Sequence, residues 1–310
     1  MEILRSICDL KGLGGPAYLA IGVFDGVHLG HQAVVSSAIA GAAGEKGGVA
    51  VMVTFDPHPA SVLDPAKAPR LLASMQHKVL LINELGIENL LVIPFDEAFS
   101  RTSGEDFVEA LVEACDPLRQ ISVGNSWGFG RGRSGDIRLL EKLGAVHGFK
   151  VCGLDPVKVE GEVVSSTVIR KAIEQGDFVR AAAFLGRDYT VLGTVIEGEH
   201  LGRKLGFPTA NLTVHNEQLP PSGVYVVRAV LDNRSLWGVG NLGVRPTVAG
   251  GEAKRMLEIH LLDYHEDIYG ADMEVHFLKF LRPESKFDNV HSLREQIDKD
   301  VAEAKGIVAG

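Results

Sequence analysis

"AIGVFDGVHLGH", Ala20 to His31, hands a short apolar run over to a helical pattern through a Phe-Asp-Gly turn and sets two histidines three residues apart at the junction. An apolar run followed by a glycine-rich turn and a helix is the opening of a βαβ unit. In an open α/β sheet the ligand lies at the carboxyl ends of the strands, and the first βα turn faces it. If the helix begins near Leu29, its unsatisfied N–H groups and positive dipole end point to the spot where His28 and His31 stand. Two imidazoles add donors to that anion site, and such donors stabilise charge building on a phosphate as a nucleotide bond is exchanged. Gly22, Gly26 and Gly30 let backbone approach a ligand. A lone histidine at such a place is more often an ordinary half-buried loop residue; the paired spacing in a glycine-rich turn favours the functional reading. A metal pair is the other reading, but i, i+3 spacing alone does not supply the further ligands.

On either side of this stretch, short β-branched runs ("YLAIGVF", "GVAVMVTF", "NLLVIPF", "QISVG", "KVCGLDPV") alternate with helical segments ("SMQHKVLLINELG", "SGEDFVEALVEAC") up to about Leu185. That alternation predicts an α/β domain with a parallel sheet covered by helices. Ser74 and Ser103 stand where N-caps belong, and Gly86 where a left-handed C-terminal glycine belongs. After "AAAFLGRDYTVLG" the rhythm changes to short strands with Gly, Pro and Asn turns, with no long helix before "SLREQIDKDVAEAKG". This predicts an antiparallel barrel or sandwich closed by one C-terminal helix. The change of rhythm at Gly186 to Tyr189 divides the chain into domains 1–186 and 187–310, with no internal repeat to relate them.

The whole chain bounds the function. Its 310 residues suit two domains, and a net charge of -9 argues against a protein that coats nucleic acid or an anionic membrane. The three cysteines, Cys8, Cys115 and Cys152, are far apart and lack C-x-x-C spacing, so neither a disulfide framework nor a zinc site is expected. The N-terminus lacks an apolar leader, and no apolar run reaches the ~18 residues of a membrane span. A soluble, cytoplasmic protein is expected; the sequence leaves oligomeric state open.

Three further stretches of the first half carry chemistry. "VSSTVIRKAIEQGD" sets Ser165, Ser166 and Thr167 before a helix with Arg170 one turn in, a second phosphate-binding arrangement, although capping alone accounts for the serines. "TFDPHP", Thr54 to Pro59, and the glycine-rich, basic "GNSWGFGRGRSGD", Gly124 to Asp136, lie between the two motifs; the latter suits a loop over a polyanion, or a plain surface loop. In the second half, "GRKLGFPTANL" places Thr209 and Asn211 on one face of an extended segment after Pro208, and two oxygen ligands at i, i+2 suit Mg²⁺. There is no G-x-x-x-x-G-K-[ST] loop, so any kinase here holds ATP in another way. "LEIHLLDY" alternates, with Glu258 and His260 opposite Leu257, Ile259 and Leu261. Facing water, Glu258 is an ordinary strand glutamate. Facing a barrel mouth, it is placed to take the proton of an alcohol attacking a γ-phosphate.

"GVFDGVHLGH" and "SSTVIR" resemble the H-x-G-H and S-x-T-x-I-R motifs of the nucleotidyltransferase superfamily. With "TFDPHP" they resemble the adenylyltransferase module of bacterial bifunctional riboflavin kinase/FAD synthetases. "LGFPTANL", "SGVYVV", "GVGNLGVRPTV", "LEIHLLDYHEDIYG" and "FLRPESKF" resemble the riboflavin kinase module of the same family, in order and spacing. The resemblance runs from about Tyr18 to Ala304. It implies a Rossmann-like nucleotidyltransferase domain and a riboflavin kinase-like barrel, making FMN from riboflavin and ATP with Mg²⁺, then FAD and pyrophosphate from FMN and a second ATP. It implies catalytic roles for His28, His31, Arg170 and Glu258, and metal binding by Thr209 and Asn211. Nucleotide binding falls to Gly22, Phe24, Asp25, Gly26, Asn125, Ser165, Ser166, Thr167, Gly202 and Lys204, and flavin binding to Phe55, Pro57, His58, Trp127 and Arg282. Two rivals stand beside it: a nucleotidyltransferase for another phosphorylated substrate with an accessory barrel, and a non-catalytic flavin-binding regulatory protein.

One segment departs from the family. Its usual G-x-D-F-x-F-G, often with arginine as the second x, reads here "GNSWGFG". Ser126 stands for the aspartate, Trp127 for the phenylalanine and Gly128 for the arginine. The expectation is a loop short of charge that binds by shape, with the Trp127 ring and the Asn125 amide as its contacts, and hence a weaker adenylyl transfer.

Overall fold

A computed structural model of the protein describes residues 1–198, 202, 205–245 and 254–309. The chain packs as two compact units, residues 1–70 with 78–166, and residues 71–77 with 167–310.

The first unit is built on six strands: β1 Glu2–Leu4, β2 Ala17–Ile21, β3 Val49–Asp56, β4 Asn89–Pro94, β5 Leu118–Gly124 and β6 Lys150–Leu154. They pair in the order β1-β4-β3-β2-β5-β6, and every pairing is parallel. Parallel strands need long crossovers. These contain α1 Leu29–Ala43, α2 Pro59–Leu63, α3 Met75–Asn83, α4 Gly104–Ala114 and α5 Ile137–His147. β2 is buried at every position, as a central strand covered on both faces must be. β2 has β3 on one side and β5 on the other, so the strand order reverses between β2 and β5. That reversal opens the crevice in which α/β sheets bind ligands. A short hairpin, β7 Lys158–Val159 and β8 Glu162–Val163, follows the sheet. The expected caps are present: Ser103 Oγ accepts from Asp106 N–H, Ser74 Oγ from His77 N–H, and Gly86 is left-handed at φ 75°.

In the second unit α6 Ser166–Glu174, whose first residue closes the first unit, and α7 Phe178–Leu185 precede six strands: β9 Thr190–Ile196, β10 Ala210–Val214, β11 Gly223–Leu231, β12 Arg234–Arg245, β13 Lys254–Leu261 and β14 Asp272–Arg282. They close into a barrel in the order β10-β13-β12-β11-β14-β9, all antiparallel. The sequence left barrel and sandwich open; β9 pairs with both β10 and β14, and this closure removes the sheet edges. Tyr225, Val227, Leu257 and Ile259 are fully buried. On the opposite face of the wall, Val224, Val226 and Val239 pack with Val301 and Ala304 of the C-terminal helix α8, Val290–Ala309.

Two pieces outside the strands belong to this unit. The Phe178 ring of α7 stacks on Phe277 at 5.9 Å and meets Tyr225 edge-on. In segment 71–77, Leu72 O accepts from Asn216 Nδ2, and the buried His77 Nε2 lies 3.1 Å from Glu274 Oε1 and 3.1 Å from Thr190 Oγ1. Compactness therefore divides the chain at 166/167, whereas the change from helices to strands falls after the left-handed cap Gly186.

Candidate active sites

The stretch that opens the sequence forms the carboxyl end of β2 and the start of α1. Helix α1 begins at Leu29, and His28 is its N-cap: its Nδ1 accepts from His31 N–H at 3.3 Å. Because Nδ1 is the acceptor, the neutral ring carries its proton on Nε2. The His28 and His31 rings stack at 3.5 Å, and the buried Phe24 ring meets His31 edge-on at 5.3 Å. A Cβ at Gly30 would sit 3.2 Å from the His28 ring, so glycine is the residue that admits this ring over the helix start. The turn itself is contorted. Gly26 is left-handed at φ 80°, and so are two residues that disfavour it, Phe24 at 55° and Val27 at 44°. Gly22 lies under the Phe24 ring, and Asp25 is 3 % exposed. Asp25 O accepts from Ser166 Oγ at 3.0 Å, which ties Ser166 to the first turn. Ser165 is half-buried; Thr167 and Arg170 lie in the first turns of α6.

The ends of β3 and β5 stand on either side of β2. At the end of β3 the Phe55 ring is taken up by an aromatic core with Phe95, Phe99 and Phe107. The Asp56–Pro57 bond is cis, and His58 caps α2 by accepting from Ala60 N–H. After β5, the Asn125 amide donates to Asp155 at 2.7 Å, and the Trp127 ring stacks on Phe129 at 4.6 Å. One face of Trp127 is thus committed to the protein, a partner the sequence did not reveal. The expected loss of positive charge at Gly128 is offset: a Cβ there would meet the Arg133 guanidinium at 2.8 Å, so Arg133 fills the space that a side chain at 128 would take.

In the barrel, hydrogen-bond register assembles the second site. Asn211 of β10 and Asn241 of β12 each stand directly opposite Glu258 of β13, one on either side. These three residues, with Thr209, Gly202 and Arg282, line a cavity of about 400 Å³. Phe287 and the α8 residues Leu293, Ile297 and Asp300 complete its wall. Glu258 therefore faces the space between the barrel wall and α8, on the side opposite the buried Leu257 and Ile259, and neither open water nor the barrel interior. His260, on the same face, donates through Nδ1 to Pro208 O at 2.9 Å and pins the segment carrying Thr209. Asn211 Oδ1 is buried and has no hydrogen-bond partner among the described residues. Arg282 is held rigidly: Asp300, 5 % exposed, accepts from its Nε at 3.0 Å and its Nη2 at 2.7 Å, and its guanidinium lies 5.7 Å from the Phe287 ring centre. A second cavity of about 290 Å³ shares Thr209 and is bordered by Leu261, Tyr264 and Tyr269. Lys204 lies outside the described residues.

Sequence reasoning did not single out Asn241, Asp300 or Arg133. Asn241 carries a signal, as a polar residue inside the apolar run "GVGNLGV", but its partner depends on register. Asp300 is one of many charges on α8, and only packing marks it.

A histidine-capped helix start at the reversal of a parallel sheet, and in the same chain a barrel with a carboxylate and neutral oxygens facing a cavity, fit a two-module nucleotide-dependent transferase. The family profile for riboflavin kinase matches residues 185–308, and that for FAD synthetase matches residues 13–168. A bifunctional riboflavin kinase/FMN adenylyltransferase of Pseudomonas fluorescens is 36 % identical, covering 100 % of this chain and 98 % of its own. That of Escherichia coli K12 is 36 % identical, over 98 % and 97 %. A solved Streptococcus pneumoniae structure, described as a macrolide-efflux protein, matches with a TM-score of 0.82 at 26 % identity over 98 % of both chains. The chain belongs to the family of bifunctional riboflavin kinase/FMN adenylyltransferases.

Proposed function

We propose that the barrel unit phosphorylates the ribityl 5′-hydroxyl of riboflavin with ATP and Mg²⁺, and that the α/β unit joins the FMN formed to AMP from a second ATP, in the cytoplasm. The observation that carries this reading is the cross-strand row Asn211, Glu258, Asn241 facing one cavity. Asn211 Oδ1, a buried acceptor, and Thr209 two residues away fit a hard cation that keeps water and phosphate oxygens as its other ligands. When bound there, Mg²⁺ screens phosphate charge. Glu258 takes the proton of the 5′-hydroxyl as its oxygen attacks the γ-phosphorus and the bond to the β-phosphate oxygen breaks, giving ADP. The larger cavity, with Phe287 and the fixed Arg282, suits the flavin. The smaller one, on the far side of Thr209, suits the nucleotide, so that the two substrates meet at Thr209.

In the α/β unit an FMN phosphate oxygen attacks the α-phosphorus of ATP and pyrophosphate leaves. His28, through Nε2–H, and His31 stabilise the charge shifted onto the phosphates, beside the N–H groups at the start of α1. Three free cysteines suit a reducing compartment, and among the described residues no helix is long and apolar enough to cross a membrane. The test is incubation of the purified protein with riboflavin, ATP and Mg²⁺ followed by chromatographic separation of flavins. FMN and then FAD are expected. FAD from neither riboflavin nor supplied FMN would leave the two rival readings.

A further inference from the structure

The first βα turn is held from behind by a group that the mechanism does not use. Lys78, the fourth residue of α3, is 6 % exposed, although lysine is almost never buried without a partner. Its Nζ donates to Val23 O at 2.9 Å, and the same carbonyl accepts from Thr54 Oγ1 at 3.0 Å. Three further carbonyls of the turn are tied as well, Phe24 O by Val27 N–H, Asp25 O by Ser166 Oγ and Val27 O by Gln32 Nε2. Left-handed Phe24 and Val27 lie within this stretch, and such backbone persists only where its surroundings over-determine it. Burial pushes the Lys78 ammonium below the usual lysine range, with the carboxylates of Asp25 and Asp56 pulling the other way. Taking an ammonium out of water is costly, so packing alone does not account for a lysine at this position.

We infer that Lys78 is a positioning residue for adenylyl transfer, acting through the Val23 carbonyl on the turn that presents His28 and His31. A trans peptide group is planar, so fixing the Val23 carbonyl fixes the orientation of the Val23–Phe24 peptide and with it the Phe24 backbone. The Phe24 ring in turn abuts His31, which stacks on His28. The path from ammonium to imidazole thus runs through one carbonyl and one ring. Thr54 assists at the same oxygen as a neutral donor, with the weaker hold that a neutral group has.

The inference rests on the assignment of adenylyl transfer to this unit, and the wild-type enzyme controls for that: a wild type that makes no FAD from FMN overturns the assignment. In the full-length protein, Lys78→Met is expected to lower kcat for FMN adenylylation at least ten-fold while KM for ATP moves less than three-fold. Riboflavin phosphorylation should stay within two-fold of wild type, and amide hydrogen exchange should quicken in the peptide spanning 22–31. Thr54→Val should show the same pattern with a smaller fall. Adenylylation by Lys78→Met within two-fold of a competent wild type overturns the inference, as does a fall matched by an equal fall in riboflavin phosphorylation. If Lys78→Met does not fold, Lys78→Gln is judged by the same readouts.

Discussion

The two sites are made in opposite ways. In the α/β unit the candidate groups at the first turn come from a dozen consecutive residues: His28 caps the helix that carries His31, and Phe24 from the same turn supports the rings. In the barrel the corresponding groups, Asn211, Asn241, Glu258 and Arg282, come from four strands, and only antiparallel register puts them side by side. A helix terminus concentrates donors locally, which suits stabilisation of phosphate charge. A barrel wall offers alternate side chains to a cavity, which suits bringing a base, a metal and two substrates to one place.

Removing one group from each site separates the two activities. Glu258→Gln should reduce FMN formation from riboflavin by roughly 10²–10⁴-fold, the usual worth of general-base help, and leave adenylylation of supplied FMN intact. A rate within two-fold of wild type would remove Glu258 from the chemistry. His28→Ala and His31→Ala should each lower FAD formation by about 10²–10³-fold through kcat, since donors aimed at developing charge act in the transition state, with kinase activity preserved. Equal loss of both activities in either variant would mean that the histidines serve the fold.

Two carboxylates of the barrel unit, Asp300 and Glu274, hold their neighbours through charge. Asp300→Asn should free Arg282. Because both side chains are largely buried, the loss of a charged hydrogen bond, about 1.5–3 kcal/mol, should raise KM for riboflavin roughly ten-fold or more with little change in kcat; an unchanged KM would show that Arg282 does not meet the flavin. Burial raises the pKa of Glu274, but hydrogen bonds from His77 and Thr190 and the charges of His77 and His276 outweigh this and bring it from 4.5 down to about 2. A depressed carboxylate stabilises the fold above its unfolded pKa and loses that contribution as pH falls through the folded value. Wild type should therefore exceed Glu274→Gln in stability at pH 7, by at most about 3 kcal/mol. The gap should shrink between pH 4.5 and pH 2, as read by denaturant midpoints. A gap constant from pH 7 to pH 3 would point to a packing effect.

The smallest effect is expected in the glycine-rich loop. Ser126→Asp with Gly128→Arg restores the family's charges, but Arg133 already fills the space beside residue 128, so the double variant should speed FAD formation by less than about three-fold. A gain of ten-fold or more in a time course from FMN would show that Arg133 does not replace the missing arginine.

The alternation of strands and helices in the first half, the start of α1 at His28 and Leu29, and the grouping of Thr209 with Asn211 are legible in the chain itself, because helix caps, turns and strand alternation depend on near neighbours. Resemblance carried the family. Folding in three dimensions closes the strands of the second half into a barrel, turns Glu258 to a cavity under α8, and sets Asn241 and Asp300 beside it. It also moved Phe55 into an aromatic core, brought Arg133 against Gly128, and set Lys78 beneath Val23. Each of these depends on register, on packing or on a contact between residues tens of positions apart. The free energy of such contacts appears only when the chain closes on itself, so no local pattern records them.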